Sequence, residues 1–306
     1  MDEMNNNSVK KTSFDIDEID LKEIFRVLWD GKFFIIAVTA CFAIFSVYYA
    51  LSLKDVYKSE AILNVDTDSN PVSSFGGLGG LASIAGINMS SLSGNKSQLA
   101  LETLRSRAFL KHLIEFEGIL SSIMAAESFD KESQKIIFNS DLFDPTENKW
   151  VESAENGLLK PTYLQAYETY LSQISIRDEQ FITISVEHIS PVFAKELLDL
   201  MIRETNEILR NKDLRESSDA INFLTSEVNK SSLITMKDAI NELVLSRLEM
   251  QMMAKVSNEY VLKIIEPPFI PEKKSGPSRA LICIVISLIG GIFSVLFVLI
   301  RHYNFK

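Results

Sequence analysis

The sequence predicts an α+β membrane protein in which two transmembrane helices flank a periplasmic domain, built as a membrane-proximal α/β base with a long projecting helical hairpin. Three observations carry this expectation. Phe33–Leu53 and Ala280–Ile300 are two apolar stretches without an acidic or basic residue. Each is about the 20 residues that a helix needs to cross a bilayer core of roughly 30 Å. Strand patterns lie just after the first stretch and just before the second. Between them, residues 191–256 read as helix almost throughout.

The composition narrows the class further. The 306 residues carry a net charge of −10, from 31 Lys and Arg against 41 Asp and Glu. This acidic balance argues against nucleic-acid binding, which draws its affinity from clustered cations. A hydrophobic share of 46 % fits one soluble domain with a few spans. The two cysteines, Cys41 and Cys283, both fall in the apolar stretches and supply no disulfide framework.

Residues 1–18 are polar, include Asn5-Asn6-Asn7, and read as disordered. Leu21, Ile24, Phe25, Leu28 and Trp29 then fall on one helical face, with Lys22 and Arg26 on the other. Asp20 and Glu23 have the spacing of a helix-start box. A short amphipathic helix ending in Trp suits a membrane interface, and a small packed cytoplasmic helix is the plainer alternative. The expected division is 1–32 cytoplasmic, 33–53 first span, 54–279 periplasmic, 280–300 second span and 301–306 cytoplasmic tail. No small-x-small cleavage site follows the first span, which reads as an uncleaved anchor. Lys22, Arg26, Lys32, Arg301 and Lys306 favour cytoplasmic termini. Lys54, Lys58, Lys273, Lys274 and Arg279 oppose that assignment, but long segments cross regardless of their charge.

Within the central section, Tyr57, Ser59, Ala61, Leu63 and Val65 alternate with Lys58, Glu60 and Asn64, which reads as a half-buried strand. Residues 66–95 are rich in Ser, Gly and Asn around Gly76-Gly77-Leu78-Gly79-Gly80. A phosphate loop would need a Lys-Ser/Thr pair at a following helix start, and this stretch has none, so it reads as a flexible loop. Residues 97–116 read as one helix through Leu101, Leu104, Ala108, Leu110 and Leu113. Residues 118–157 read ambiguously, as short helices, and 161–170 read as helix. Residues 174–186 read as strand with a turn near Arg177-Asp178-Glu179.

From Pro191 an apolar stripe runs through Leu197, Leu198, Met201, Ile208, Leu209, Ile221, Leu224 and Val228, and it thins between Arg210 and Ser218. A single helix over 191–256 would extend roughly 100 Å and could not bring the following strand back in time. The chain should therefore fold back near Asn229-Lys230-Ser231-Ser232 as an antiparallel hairpin. The base is expected to pair strands near 57–65, 172–187 and 259–265. Pro267, Pro268, Pro271 and Pro277 then make an extended, stiff connector to the second span. In that span, Ser287-x-x-x-Gly291 and Gly290-x-x-x-Ser294 have the spacing that allows close helix approach.

The residues of catalysis are sparse. His112, His188 and His302 are the three histidines, and none has a His or Cys at metal-ligand spacing. No Gly-x-Ser-x-Gly, His-Glu-x-x-His or phosphate-loop motif occurs. The expectation is a non-enzyme without cofactor or metal. The tail after the second span is too short for a signalling output, which argues against a two-span receptor.

The arrangement resembles the Wzz-type chain-length determinants, the polysaccharide co-polymerases of bacterial cytoplasmic membranes. The resemblance rests on Glu18-Ile-Asp-Leu-Lys-Glu-Ile-Phe-Arg-Val-Leu-Trp29, on the strand after the first span, and on Leu104-Arg-Ser-Arg-Ala-Phe-Leu110. It rests most on Pro267-Pro-Phe-Ile-Pro271 with Pro277 before the second span. It implies an α/β base with long periplasmic helices and a ring-like homo-oligomer. It also implies a non-catalytic role, setting the modal number of repeats that a partner polymerase adds to a lipid-linked polysaccharide. The chain carries no kinase domain before Lys306, which points to the O-antigen (lipopolysaccharide) branch. A capsule or exopolysaccharide co-polymerase, or an export scaffold anchored in the inner membrane, is the alternative. On this resemblance the prolines would fix the base on the membrane, and Gly290 and Gly291 would pack the second span against the first or against a partner.

Overall fold

The computed structural model describes residues 21–65, 95–153, 157–230, 234–257 and 259–304. The chain forms two compact units, divided after Leu53 and after Pro277. Both contain what the pattern predicts: two apolar helices in one, and mixed helix and sheet in the other.

The first unit holds α1 (Leu21–Asp30) and α2 (Lys32–Ser52), together with the last helix of the chain. Phe25 and Trp29 of α1 stack at 6.1 Å and are exposed, and the Lys32 ammonium lies 4.4 Å from the Trp29 ring centre. Exposed aromatics beside a lysine are the chemistry of a bilayer interface. The proposed helix-start box falls on Asp20 and Glu23, and the disordered segment on 1–18. These positions lie outside the described residues or side chains.

The second unit is organised by one antiparallel sheet. Its strands are β1 (Tyr57–Val65), β8 (Ile174–Asp178), β9 (Ile182–His188) and β10 (Leu262–Glu266), in the order β10-β1-β9-β8. The expected pairing of the two terminal strands is observed, with Val65 opposite Leu262 and Leu63 opposite Ile264. The alternation in β1 is a true inside–outside pattern: Tyr57, Ser59, Ala61 and Leu63 are buried, and Lys58, Glu60 and Ile62 are half-exposed. The glycine-rich stretch after β1 lies outside the described residues.

The expected helix over 97–116 is two helices, α3 (Asn95–Arg105) and α4 (Arg107–Leu113). Ser106 breaks it: its backbone is extended and its Oγ accepts the Phe109 N–H, which caps α4. The Leu104 and Arg105 carbonyls freed at the break are taken by tyrosines of α6 (Tyr163–Gln173), and a third tyrosine reaches the first residue of α4. Tyr170 donates to Leu104 at 2.8 Å, Tyr167 to Arg105 at 2.7 Å, and Tyr163 to Arg107. At i, i+4 and i+7, these hydroxyls line one helical face, and Tyr167 and Tyr170 supply partners for carbonyls at the end of α3 that would otherwise be orphaned.

The stretch expected as short helices holds one, α5 (Ile119–Ala125), and then three small hairpins. These pair β2 (Ala126–Asp130) with β3 (Lys135–Phe138), β4 (Phe143–Asp144) with β5 (Lys149–Trp150), and β6 (Glu152–Ser153) with β7 (Gly157–Leu158). The turns of the first two are held by Asp130 and Asp144, whose carboxylates accept nearby backbone N–H groups. α6 (Tyr163–Gln173) opens on a full capping box between Thr162 and Gln165.

α7 (Pro191–Lys230) and α8 (Ile234–Val256) are the expected hairpin, and the link between them lies outside the described residues. The first half of α7 is buried against the sheet through Ala194, Leu197, Leu198 and Met201, which share one core with Leu63, Ile184, Val186, Leu104, Leu110 and Tyr170. The thinned stripe beyond Leu209 marks where α7 leaves that core and meets the returning chain. Arg210 donates to the Ser257 carbonyl at 2.6 Å, the Tyr260 hydroxyl donates to Asp213 at 2.5 Å, and Ser217 contacts the Met250 sulfur at 3.5 Å. The remaining α7 residues and the 23 of α8 each span roughly 30–35 Å, so the hairpin closes on itself. α9 (Arg279–Asn304) ends the chain.

Candidate functional site

The proline segment follows β10 and runs back along the edge of β1. Proline has no N–H to place in a ladder, so no regular strand continues here. Isolated hydrogen bonds hold it instead. Ser59, fully buried, donates to the Phe269 carbonyl at 2.8 Å. Val56 N–H donates to the Gly276 carbonyl at 3.0 Å, and Ser275 N–H donates to the Val56 carbonyl at 2.8 Å. Lys274 pairs with Asp55 at 3.0 Å. Pro268 and Pro271 are buried, Pro277 is half-buried after a cis peptide, and Pro267 is exposed. Sequence reasoning singled out the prolines and missed Ser59, the side chain that fastens them. Its signal was a lone hydroxyl on the inward face of an otherwise apolar strand.

In the first unit α2 and α9 pack antiparallel. Gly290 and Ser294 are buried, and Ser287 and Gly291 are half-buried. A side-chain carbon added at Gly290 would lie 2.5 Å from the Phe42 ring, so that backbone is seated against an aromatic face. At Gly291 the nearest atom is Thr39 Oγ1 at 3.8 Å, an ordinary contact. Gly31 mirrors Gly290 at the other end, where an added carbon would lie 2.7 Å from Val298. Ser46 and Ser294, both buried, return their hydroxyls to their own helices, to Ala43 and Gly291 at 2.7 Å each. In α2, Thr39, Ala43, Ser46 and Ala50 form the matching small-residue stripe. Its spacing, i+4, i+3 and i+4, is that of one helical face and is legible in the sequence.

Several titratable groups of the second unit are tied into structure. His188 is buried at the end of β9. Its Nδ1 accepts the Ser190 N–H at 3.0 Å, so Nε2 carries the proton and donates to the Ser122 carbonyl at 2.9 Å. Burial holds its pKa below the ordinary histidine value. His112 Nε2 meets the buried Glu204 carboxylate at 2.8 Å, and Arg203 contacts the same carboxylate at 3.1 Å. Lys96, Asp213 and Tyr260 form a further triad in which burial and the Asp213 carboxylate push the Tyr260 hydroxyl pKa up. Among the described residues, no group of three or more His, Cys, Asp or Glu is placed to hold a metal ion.

Residues 17–116 match the family model described as Wzz, chain length determinant protein. This bears out the Wzz-type resemblance. The matched span runs from before α1, through the first apolar helix and β1, to just past α4. No curated relative matches the chain. Two solved structures resemble it at a TM-score of 0.35 each. One is a full-length bacterial polysaccharide co-polymerase, at 16% identity over 94% of this chain and 100% of the other. The second is a fragment of WzzB, a polysaccharide co-polymerase from Salmonella Typhimurium, at 14% identity over 73% of this chain and 100% of the other. The chain is an α+β membrane protein with two spans, and the family that its N-terminal third matches is one of chain-length determinants.

Proposed function

We propose that this protein sets the modal chain length of O-antigen on lipid-linked polysaccharide, without catalysing the polymerisation. The observation that carries the reading is the chain-length-determinant match across the first apolar helix and β1. On this reading the protein sits in the inner membrane with both termini cytoplasmic, and residues 54–279 lie in the periplasm. It acts as a ring-like homo-oligomer beside an O-antigen polymerase.

Two features support assembly through surfaces. α8 leaves Leu245, Leu248, Met252 and Val256 exposed on one face, with Val256 at 81 %. A row of large apolar side chains on a helix in water is what a neighbouring copy would cover. The second is the close approach of α9 to α2 at Gly290, which leaves a compact two-helix membrane unit. We assign Pro267, Pro268, Pro271 and Pro277 the task of holding the chain in fixed register on β1 as it enters the second span.

The test is a gel profile of lipopolysaccharide from cells with and without the gene. The expected outcome is a clustered ladder with the protein and a smoothly decaying one without it. An unchanged ladder, or the loss of all long glycan, would overturn the O-antigen assignment in favour of a capsule, exopolysaccharide or export role.

A further inference from the structure

A cavity of about 520 Å³ opens where the N-terminal half of α6 meets the β4–β5 hairpin. Its size falls within the roughly 300–1,000 Å³ of ordinary small-ligand pockets. Trp150, half-buried, lines it. The indole is held at 64° and 5.3 Å from Phe143, which is itself braced by Phe138 at 5.2 Å. The surrounding loop is fixed by its backbone: Phe143 N–H donates to Asn139, Val151 N–H to Leu142 and Leu159 N–H to Val151, at 2.9–3.0 Å. The indole is thus packed on Phe143 and flanked by backbone hydrogen bonds.

The polar groups around it are mixed in sign and kind. Gln165 Oε1 is occupied, accepting from the Thr162 backbone N–H at 2.9 Å and from its hydroxyl at 3.0 Å, which leaves the Gln165 amide as a donor. Thr169 donates its hydroxyl proton to the Gln165 carbonyl at 2.9 Å, which leaves its oxygen as an acceptor. Lys160 and Glu168 line the same cavity, one as a donor and one as an acceptor. Lys160 and Glu168 bring one charge of each sign to the lining. A ligand that suits the cleft donates hydrogen bonds, accepts them at neighbouring positions, and lays an apolar face on an indole. A pyranose ring does all three, with hydroxyls at its rim and C–H bonds on its face.

We propose that this cleft binds a saccharide segment, with Trp150 as the stacking platform and Glu168, Gln165, Lys160 and Thr169 as hydroxyl partners. The proposal rests on the glycan-directed reading above and gives that reading a place of contact.

The sequence contains two tryptophans, Trp29 and Trp150, so Trp29→Phe leaves Trp150 as the sole indole reporter. Full-length protein in detergent is titrated with polysaccharide released by mild acid from the lipopolysaccharide of the same cells and freed of lipid. The expected result is a saturable shift in Trp150 emission. By calorimetry, Glu168→Ala and Trp150→Ala should each weaken binding tenfold or more, and Trp150→Phe less. Glu168 is an exposed side chain, so Glu168→Ala keeps the test valid if Trp150→Ala fails to fold. No saturable binding, equal binding by Glu168→Ala, or equal competition by a polar Lys/Glu peptide would overturn the proposal. A ladder that depends on the gene without glycan binding removes the cleft and leaves the regulator. Binding with an unchanged ladder removes the regulator and leaves the cleft.

Discussion

Asn206 on α7 grips Leu262 from both sides of its peptide backbone. Its Oδ1 accepts the Leu262 N–H at 2.8 Å, and its Nδ2 donates to the Leu262 carbonyl at 2.9 Å. The same Oδ1 accepts the Val261 N–H at 2.9 Å. All three residues are buried. One amide side chain thus fixes the point where the returning hairpin re-enters the sheet as β10.

Replacing Asn206 with Leu removes three hydrogen bonds and leaves buried backbone groups unpaired. Each such group costs about 1–3 kcal/mol, so with three of them a loss of about 3 kcal/mol or more is expected. Urea unfolding of the full-length protein in detergent, followed by the far-ultraviolet helix signal, measures it. A loss below about 1 kcal/mol would mean that β10 is held by its ladder with β1 alone.

His188 should make the second unit acid-sensitive. Burial lowers its folded pKa below the ordinary 6.5, while the unfolded chain titrates near 6.5. The unfolded state therefore binds the proton first as pH falls. The stabilisation is complete above about pH 6.5 and is lost as pH drops from there toward the folded value, with a slope of at most about 1.4 kcal/mol per pH unit. Protonation would also set a second N–H against the Ser190 N–H that Nδ1 now accepts. Melting curves of the wild type and His188→Gln between pH 7.5 and 5.5 check this, and the variant should show the shallower fall.

The two glycines of α9 should behave differently. Gly290→Ala places a carbon 2.5 Å from the Phe42 ring, whereas at Gly291 the neighbour is 3.8 Å away. Gly290→Ala should destabilise the protein in detergent by an amount typical of an overpacked core, about 1–3 kcal/mol, read as a lower melting temperature. Gly291→Ala should be nearly neutral. Adding Phe42→Ala to Gly290→Ala should recover part of the loss, and additive single effects would deny the contact.

The contrast between what the sequence predicts and what it hides follows the reach of each signal. β1 is legible because Tyr57, Ser59, Ala61 and Leu63 alternate within one element. The α7–α8 fold-back is legible because a chain of this length has to return. The break at Ser106 is hidden because the apolar spacing of Leu101, Leu104, Leu110 and Leu113 runs straight through it. What stabilises the break is Tyr163, Tyr167 and Tyr170, which are distant in sequence. The same holds for Ser59, whose partner Phe269 is 210 residues away. The hairpins between Ala126 and Leu158 had local turn signals in Asp130 and Asp144, and their short strands carry too few residues to show a period.

Ser59→Ala connects the fold to the proposed function. It deletes one methyl-sized hydroxyl from the inward face of β1 and leaves the Phe269 carbonyl without that donor. The expected cost in stability is about 1–2 kcal/mol, too little to unfold the domain. The proline segment would lose a fastening between β10 and the Val56–Gly276 pairing, so its register against β1 should loosen. If that register matters to chain-length control, Ser59→Ala and Pro277→Ala should each broaden the lipopolysaccharide ladder while protein levels in the membrane stay unchanged. Ser59→Thr, which keeps the hydroxyl, should hold the ladder closer to its original mode. A ladder indifferent to all three variants would confine the segment to structure and remove it from the length-setting machinery.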